Sequence, residues 1–117
     1  MKFLMTYEGT DRSPPTPARM AAIAEFSDEM AKSGILLMTG GLQRPTKGTH
    51  VKQSGDAFSV TDGPFAETKE LIDGFALIRV GSKEQALDVA RRFMQIAGDG
   101  VGEILQVFDA ADIPPAR

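Results

Sequence analysis

Two segments of the chain, "ILLMT" (residues 35–39) and "GFALIRV" (residues 74–80), are apolar at even and odd positions alike. Successive side chains of a strand point to opposite faces, so a sheet with one wet face reads as an alternation. These two strands do not alternate, and both of their faces therefore need cover. The chain carries only two helical stripes, and two helices cover one face of a four-stranded sheet. The second face is expected to be covered by the same face of a second copy, which predicts a symmetric homodimer.

The remaining elements follow from spacing and punctuation. "KFLMTY" (residues 2–7) reads as a first strand, followed by the proline-rich loop "EGTDRSPPTP". Thr16 is a good N-cap and Pro17 a natural first helical residue. Met20, Ile23, Phe26 and Met30 then recur at three- and four-residue steps, the stripe of a buried helix face. Asp28 stands four residues before Lys32, and Gly34 supplies the stop. The second strand, 35–39, is closed by Gly40 and Gly41. "HVKQSGDAFSV" reads as a small hairpin turning at Ser54-Gly55-Asp56, with Phe58 and Val60 on one face. Ser82 and Gln85 form a capping box for a second helix, with a stripe of Ala86, Ala90, Phe93 and Ala97 flanked by Leu87 and Met94. Met20, Met30 and Met94 read as core filler. Arg91 and Arg92 read as a solvated face, with Asp88 supporting Arg92. "EILQVF" (residues 103–108) is the last strand. The predicted fold is α+β and ferredoxin-like, a βαββαβ order with a hairpin inserted in its middle, paired into a dimeric α+β barrel.

At 117 residues the chain is read as a single domain, 1–117, large enough to bury a core without staples. It has no cysteine, which removes disulfides, thiolate metal sites and thiol nucleophiles. With one histidine besides, a zinc or copper site would have to come mainly from scattered carboxylates, and no metal and no cofactor are expected. The formal charge of −3 speaks against nucleic acid or an anionic membrane as a partner. The apolar run at the start is too short for the core of a signal peptide, and none reaches the ~18 residues needed to span a bilayer, so a cytoplasmic location is expected.

The segment "TDGPFAETKE" (residues 61–70) carries the main functional expectation. Asp62 can accept hydrogen bonds from backbone N–H groups downstream, Gly63 tolerates unusual torsions, and Pro64 fixes its own. Phe65 can pin the turn by burying its ring, and Glu67, Lys69 and Glu70 follow within reach. A turn held this firmly can simply be structural. It can also aim a carboxylate into a cleft, where partial withdrawal from water suits it to general acid–base work. Lys69 could cancel that effect by pairing with Asp62 or Glu67. Asp62 and His50 are therefore the candidate catalytic residues, and Tyr7, Gly63, Pro64, Phe65, Glu67 and Lys69 the candidate pocket. His50 begins the hairpin beside Lys52, where a solvated imidazole is the plain alternative. "TGGL" and "GDGVG" match no phosphate-cradling pattern, because "GDGVG" leads from a helix into a strand.

"TDGPFAETKE" followed by "GFALIRV" resembles the signature of the DGPF family, part of the YCII-related proteins. The "KFLMTY" start, "GILLMTGGL" and the "EILQV" ending match as well, so the resemblance covers essentially the whole chain. It implies a ferredoxin-like subunit in a dimeric α+β barrel, in bacterial cytoplasmic proteins often encoded beside or fused to extracytoplasmic-function sigma factors. Enzyme-like YCII relatives use a His and an Asp, with the His on the first helix. The matching segment here, "PARMAAIAEFSDEM", has no histidine, so that dyad does not carry over. The expected function is binding of an unidentified small organic molecule, with metal-independent acid–base chemistry at Asp62. The alternative is a non-catalytic accessory or regulatory protein acting with a sigma factor.

Overall fold

A computed structural model of the chain describes residues 1–10, 15–42, 48–62 and 74–112. In chain order these form β1 (Lys2–Gly9), α1 (Pro17–Lys32), β2 (Leu36–Gly41), β3 (Thr49–Ser54), β4 (Ala57–Asp62), β5 (Gly74–Arg79), α2 (Lys83–Ala97), β6 (Gly100–Val101) and β7 (Ile104–Val107). A single turn of 3-10 helix, Ala110–Asp112, follows. The main sheet runs β2-β5-β1, with β6 and then β7 along the far side of β1, and every pairing in it is antiparallel. Strands β3 and β4 form a separate two-stranded sheet. This is an α+β chain whose order is compatible with the ferredoxin-like pattern.

Both helices start where their caps dictate. The Thr16 hydroxyl accepts from the Arg19 N–H at 3.1 Å, and Ser82 does the same for Gln85 at 3.2 Å. The Gln85 side chain reaches back one residue beyond the usual box and accepts from the Gly81 N–H at 2.6 Å. The Asp28–Lys32 pair forms at 2.9 Å. Gly34 and Gly98, just past the two helices, have φ of +82° and +103°, conformations that a side chain disfavours.

The helices pack on one face of the sheet. Phe3 and Met5 of β1, with Ile78 and Val80 from β5 and its end, meet Phe26 and Met30 of α1 and Ala86 and Val89 of α2. The expected helical stripes are corrected at several positions. Met20 is exposed rather than core filler. Val89 is buried where Leu87 was expected to flank the stripe, and Leu87 faces outward. Arg92 does not pair with Asp88. Its guanidinium crosses to Glu29 at 3.2 Å and lies 5.1 Å above the centre of the Phe26 ring, while Arg91 takes Asp88 at 3.8 Å. A helix–helix tie of this kind has no signal in local spacing.

The strand ends also differ. Gly40 and Gly41 lie inside β2 rather than closing it, opposite Phe75 and Gly74. A Cβ on Gly40 would come within 3.0 Å of the Phe75 ring, so this glycine makes room for the aromatic across the strand pair. Strand β6 precedes the expected last strand, and one register runs through β6 and β7 along β1.

The opposite face of the sheet carries a row that crosses four strands. Met38 of β2 pairs with Leu77 of β5, Leu77 with Leu4 of β1, and Leu4 with Leu105 of β7. No helix covers this row among the described residues. The main sheet thus carries one helical layer, on one face only, among the described residues.

Candidate functional site

A cleft of about 1450 Å³ opens between the sheet and the helices. Its mouth lies where the C-terminal ends of β1 and β2, the start of β5, the first turn of α1 and the last turn of α2 come together. The inner wall is apolar, with the partly exposed side chains Ile23, Phe93 and Met94 contributing to it over the buried core. Polar groups gather at the mouth.

Tyr7 is the fixed point of that mouth. Its ring stands edge-on to Phe93, with centres 5.3 Å apart at 86°, an arrangement favoured by the ring quadrupoles. Its hydroxyl donates to the Gly98 carbonyl at 2.9 Å, with the Asp99 carbonyl at 3.1 Å. The segment "GDGVG", without a role in the sequence reading, is what lets the chain pass over this tyrosine. A Cβ on Gly100 would strike the Glu8 carbonyl and lie 2.7 Å from the Tyr7 ring, and one on Gly102 would strike the Thr6 carbonyl. The Thr6 N–H donates to the Glu103 carbonyl at 2.9 Å, and the Glu103 N–H to the Thr6 hydroxyl at 3.0 Å, which closes the crossing.

Arg19 forms the other side of the mouth. It occupies the third residue of α1, and its guanidinium lies over Gly98, with Nη1 3.0 Å from where a Cβ there would stand. Among the described residues it makes no ion pair and no side-chain hydrogen bond. The carboxylates Asp99 and Glu103 line the same cleft.

Asp62 and His50 lie elsewhere, on the β3–β4 hairpin. Asp62 ends β4 and accepts from the Thr49 hydroxyl at 2.7 Å across the base of the hairpin. His50 pairs with Thr61, so by strand alternation it points to the opposite face from Asp62. Both residues are exposed, and neither is among the described residues lining the cleft. Gly63, Pro64, Phe65, Glu67 and Lys69 lie outside the described residues. Of the candidate site residues that are described, Tyr7 alone is in the cleft. Among the described residues no three His, Asp or Glu side chains converge as a metal site would require.

Comparison with known proteins places the chain. The YCII-related domain matches residues 1–111. The chain belongs to the YCII-related family. A relative from Rhizobium meliloti (strain 1021), an uncharacterized protein, is 36% identical over 72 residues, which make up 62% of this chain. The matched part spans 58% of that protein's length.

In this YCII-related domain the residue that sequence reasoning passed over is Arg19. It lies in a helix whose most regular pattern is an apolar stripe. A signal was present all the same, since the first turn of α1 has no acidic residue and places a cation at the positive end of the helix dipole. Among the described residues no helix is long and apolar enough to cross a membrane.

Proposed function

We propose that this YCII-related protein binds a small organic acid, its apolar body in the helix-side cleft and its carboxylate toward Arg19. One observation carries the reading. A guanidinium with no partner among the described residues stands at the mouth of a cavity of about 1450 Å³ whose lining is mainly apolar. Ligand pockets combine that kind of lining with a few placed polar groups, and an arginine recognises a carboxylate with a two-pronged, charge-assisted contact. A cation in the first turn of a helix opposes the helix dipole by roughly 0.3–1 kcal/mol, a cost that an incoming anion reverses. Asp99 and Glu103 act in the other direction, and a comparison of ligands differing only in charge measures which sign prevails. Asp62 stands on the hairpin outside this cleft, so no chemistry on a cleft-bound ligand is assigned to its carboxylate.

The protein is proposed to act as a homodimer joined through the open sheet face. The Met38–Leu77–Leu4–Leu105 row is a contiguous apolar surface, and a second copy presents its match.

Calorimetric titration with phenylacetate and phenylacetamide tests the ligand reading. The acid should bind at least tenfold more tightly than the amide, and Arg19→Gln should remove that difference while leaving the amide unchanged. Equal binding of both probes would remove the preference for acids. Failure of both to bind would favour the competing role, an accessory protein acting with a sigma factor.

A further inference from the structure

The β3–β4 hairpin has two unlike faces and no buried residue. Its register sets Thr49 against Asp62, Val51 against Val60 and Gln53 against Phe58 on one side. On the other side His50, Lys52 and Ser54 oppose Thr61, Ser59 and Ala57. The first side is apolar at its centre, and there Val51, Phe58 and Val60 are 65%, 65% and 57% exposed. The second is polar throughout apart from Ala57. A two-residue connection, Gly55-Asp56, with φ of +59° at the glycine, holds this register rigidly. An isolated two-stranded hairpin is at best marginally stable in water, and an apolar face turned to solvent makes it less so.

The sheet shows a second uncovered apolar surface, on which Met38 is 58% and Leu105 49% exposed. Four strands about 4.8 Å apart and about 20 Å long present a face of roughly 400 Å². A stable dimer buries about 800 Å² on each partner. The sheet face alone falls short. The hairpin's apolar side adds roughly 200 Å² by the same geometry, and in a symmetric pair each copy also covers its partner's arm over about the same area, which brings the total to about 800 Å².

We infer that the apolar side of the hairpin, Val51, Phe58 and Val60, is an arm that packs against the second copy of this chain and completes the dimer interface. The inference rests on the dimer proposed above and adds a surface to it. Face-to-face packing of two sheets leaves open seams along their edges, and a hairpin with one apolar and one polar side is the shape that closes a seam. His50 and Lys52 then face water, and Thr49 with its bond to Asp62 stiffens the base of the arm.

Adjacent substitutions on opposite sides separate the arm from any general effect on the hairpin. Val60→Glu places a charge on the apolar side, whereas Ser59→Glu places one opposite Lys52 on the polar side. Neither position touches the core, so both variants should keep the far-ultraviolet circular dichroism of the wild type. By sedimentation velocity over a dilution series, Val60→Glu should raise the dimer dissociation constant at least tenfold, with Ser59→Glu within twofold of wild type. Phe58→Glu should reproduce Val60→Glu. A wild-type dimer that Val60→Glu and Phe58→Glu leave equally tight would overturn the arm and leave the sheet-face dimer standing. A wild-type protein that is monomeric at the highest concentration would overturn both.

Discussion

Strands β1 and β5 pair antiparallel over six residues, and so do β3 and β4, yet the two ladders have different fates. The first is the floor of the core. Phe3, Met5 and Ile78 point from it into the helices and are nearly sealed from water. The second buries nothing within the chain. Hydrogen-bonding geometry is the same in both, so strand pairing alone does not decide where stability resides. Side-chain cover decides it, at about 25 cal/mol for each Å² of apolar surface removed from water.

The largest effect should come from the covered ladder. Ile78 is 1% exposed, and Ile78→Ala should cost about 2–5 kcal/mol in urea unfolding. Val51→Ala on the hairpin, measured at concentrations too low for dimers, should cost no more than about 1 kcal/mol. Similar losses at the two sites would break the comparison. Next comes the crossing over β1. Gly102→Ala drives a methyl into the Thr6 carbonyl and should cost about 1–3 kcal/mol, with weaker phenylacetate binding because Tyr7 is opposite. Gly55→Ala meets open space, so only its positive φ counts, at about 1 kcal/mol.

Smaller effects sharpen the contrast between cleft and hairpin. Tyr7→Phe keeps the ring against Phe93 and removes one hydrogen bond, worth about 1 kcal/mol. Asp62→Asn retains an acceptor for the Thr49 hydroxyl, and its cost should stay below about 1 kcal/mol. Ligand binding in the cleft should be unchanged by Asp62→Asn, because the carboxylate lies outside it. If Asp62→Asn weakens phenylacetate binding as much as Arg19→Gln does, the cleft is not the ligand site.

Much of the scaffold was legible because it is encoded locally. Thr16, Pro17 and Ser82 mark helix starts by chemistry confined to a few residues, and Ser54-Gly55-Asp56 marks a turn in the same way. The unalternating strands pointed correctly to a sheet with apolar residues on both faces. What was illegible depends on contacts between distant segments. Arg92 reaches Glu29 across 63 positions, and Tyr7 reaches Gly98 across 91. The cleft is a product of such contacts, and Arg19 acquires its place from Gly98, which no spacing within α1 reveals. The glycines of "GDGVG" were read against a phosphate motif, whereas their reason is steric and lies in β1.

The most direct test of the cleft as the ligand site is a phenylacetate titration of ¹⁵N-labelled protein followed by amide chemical shifts. Shifts should move first and furthest around Tyr7, Arg19, Phe93 and Gly98, with the Thr49–Ser54 and Ala57–Asp62 strands still. Movement concentrated on the hairpin around Asp62, with Arg19 and Gly98 unchanged, would contradict the account and return the site to the carboxylate of the turn.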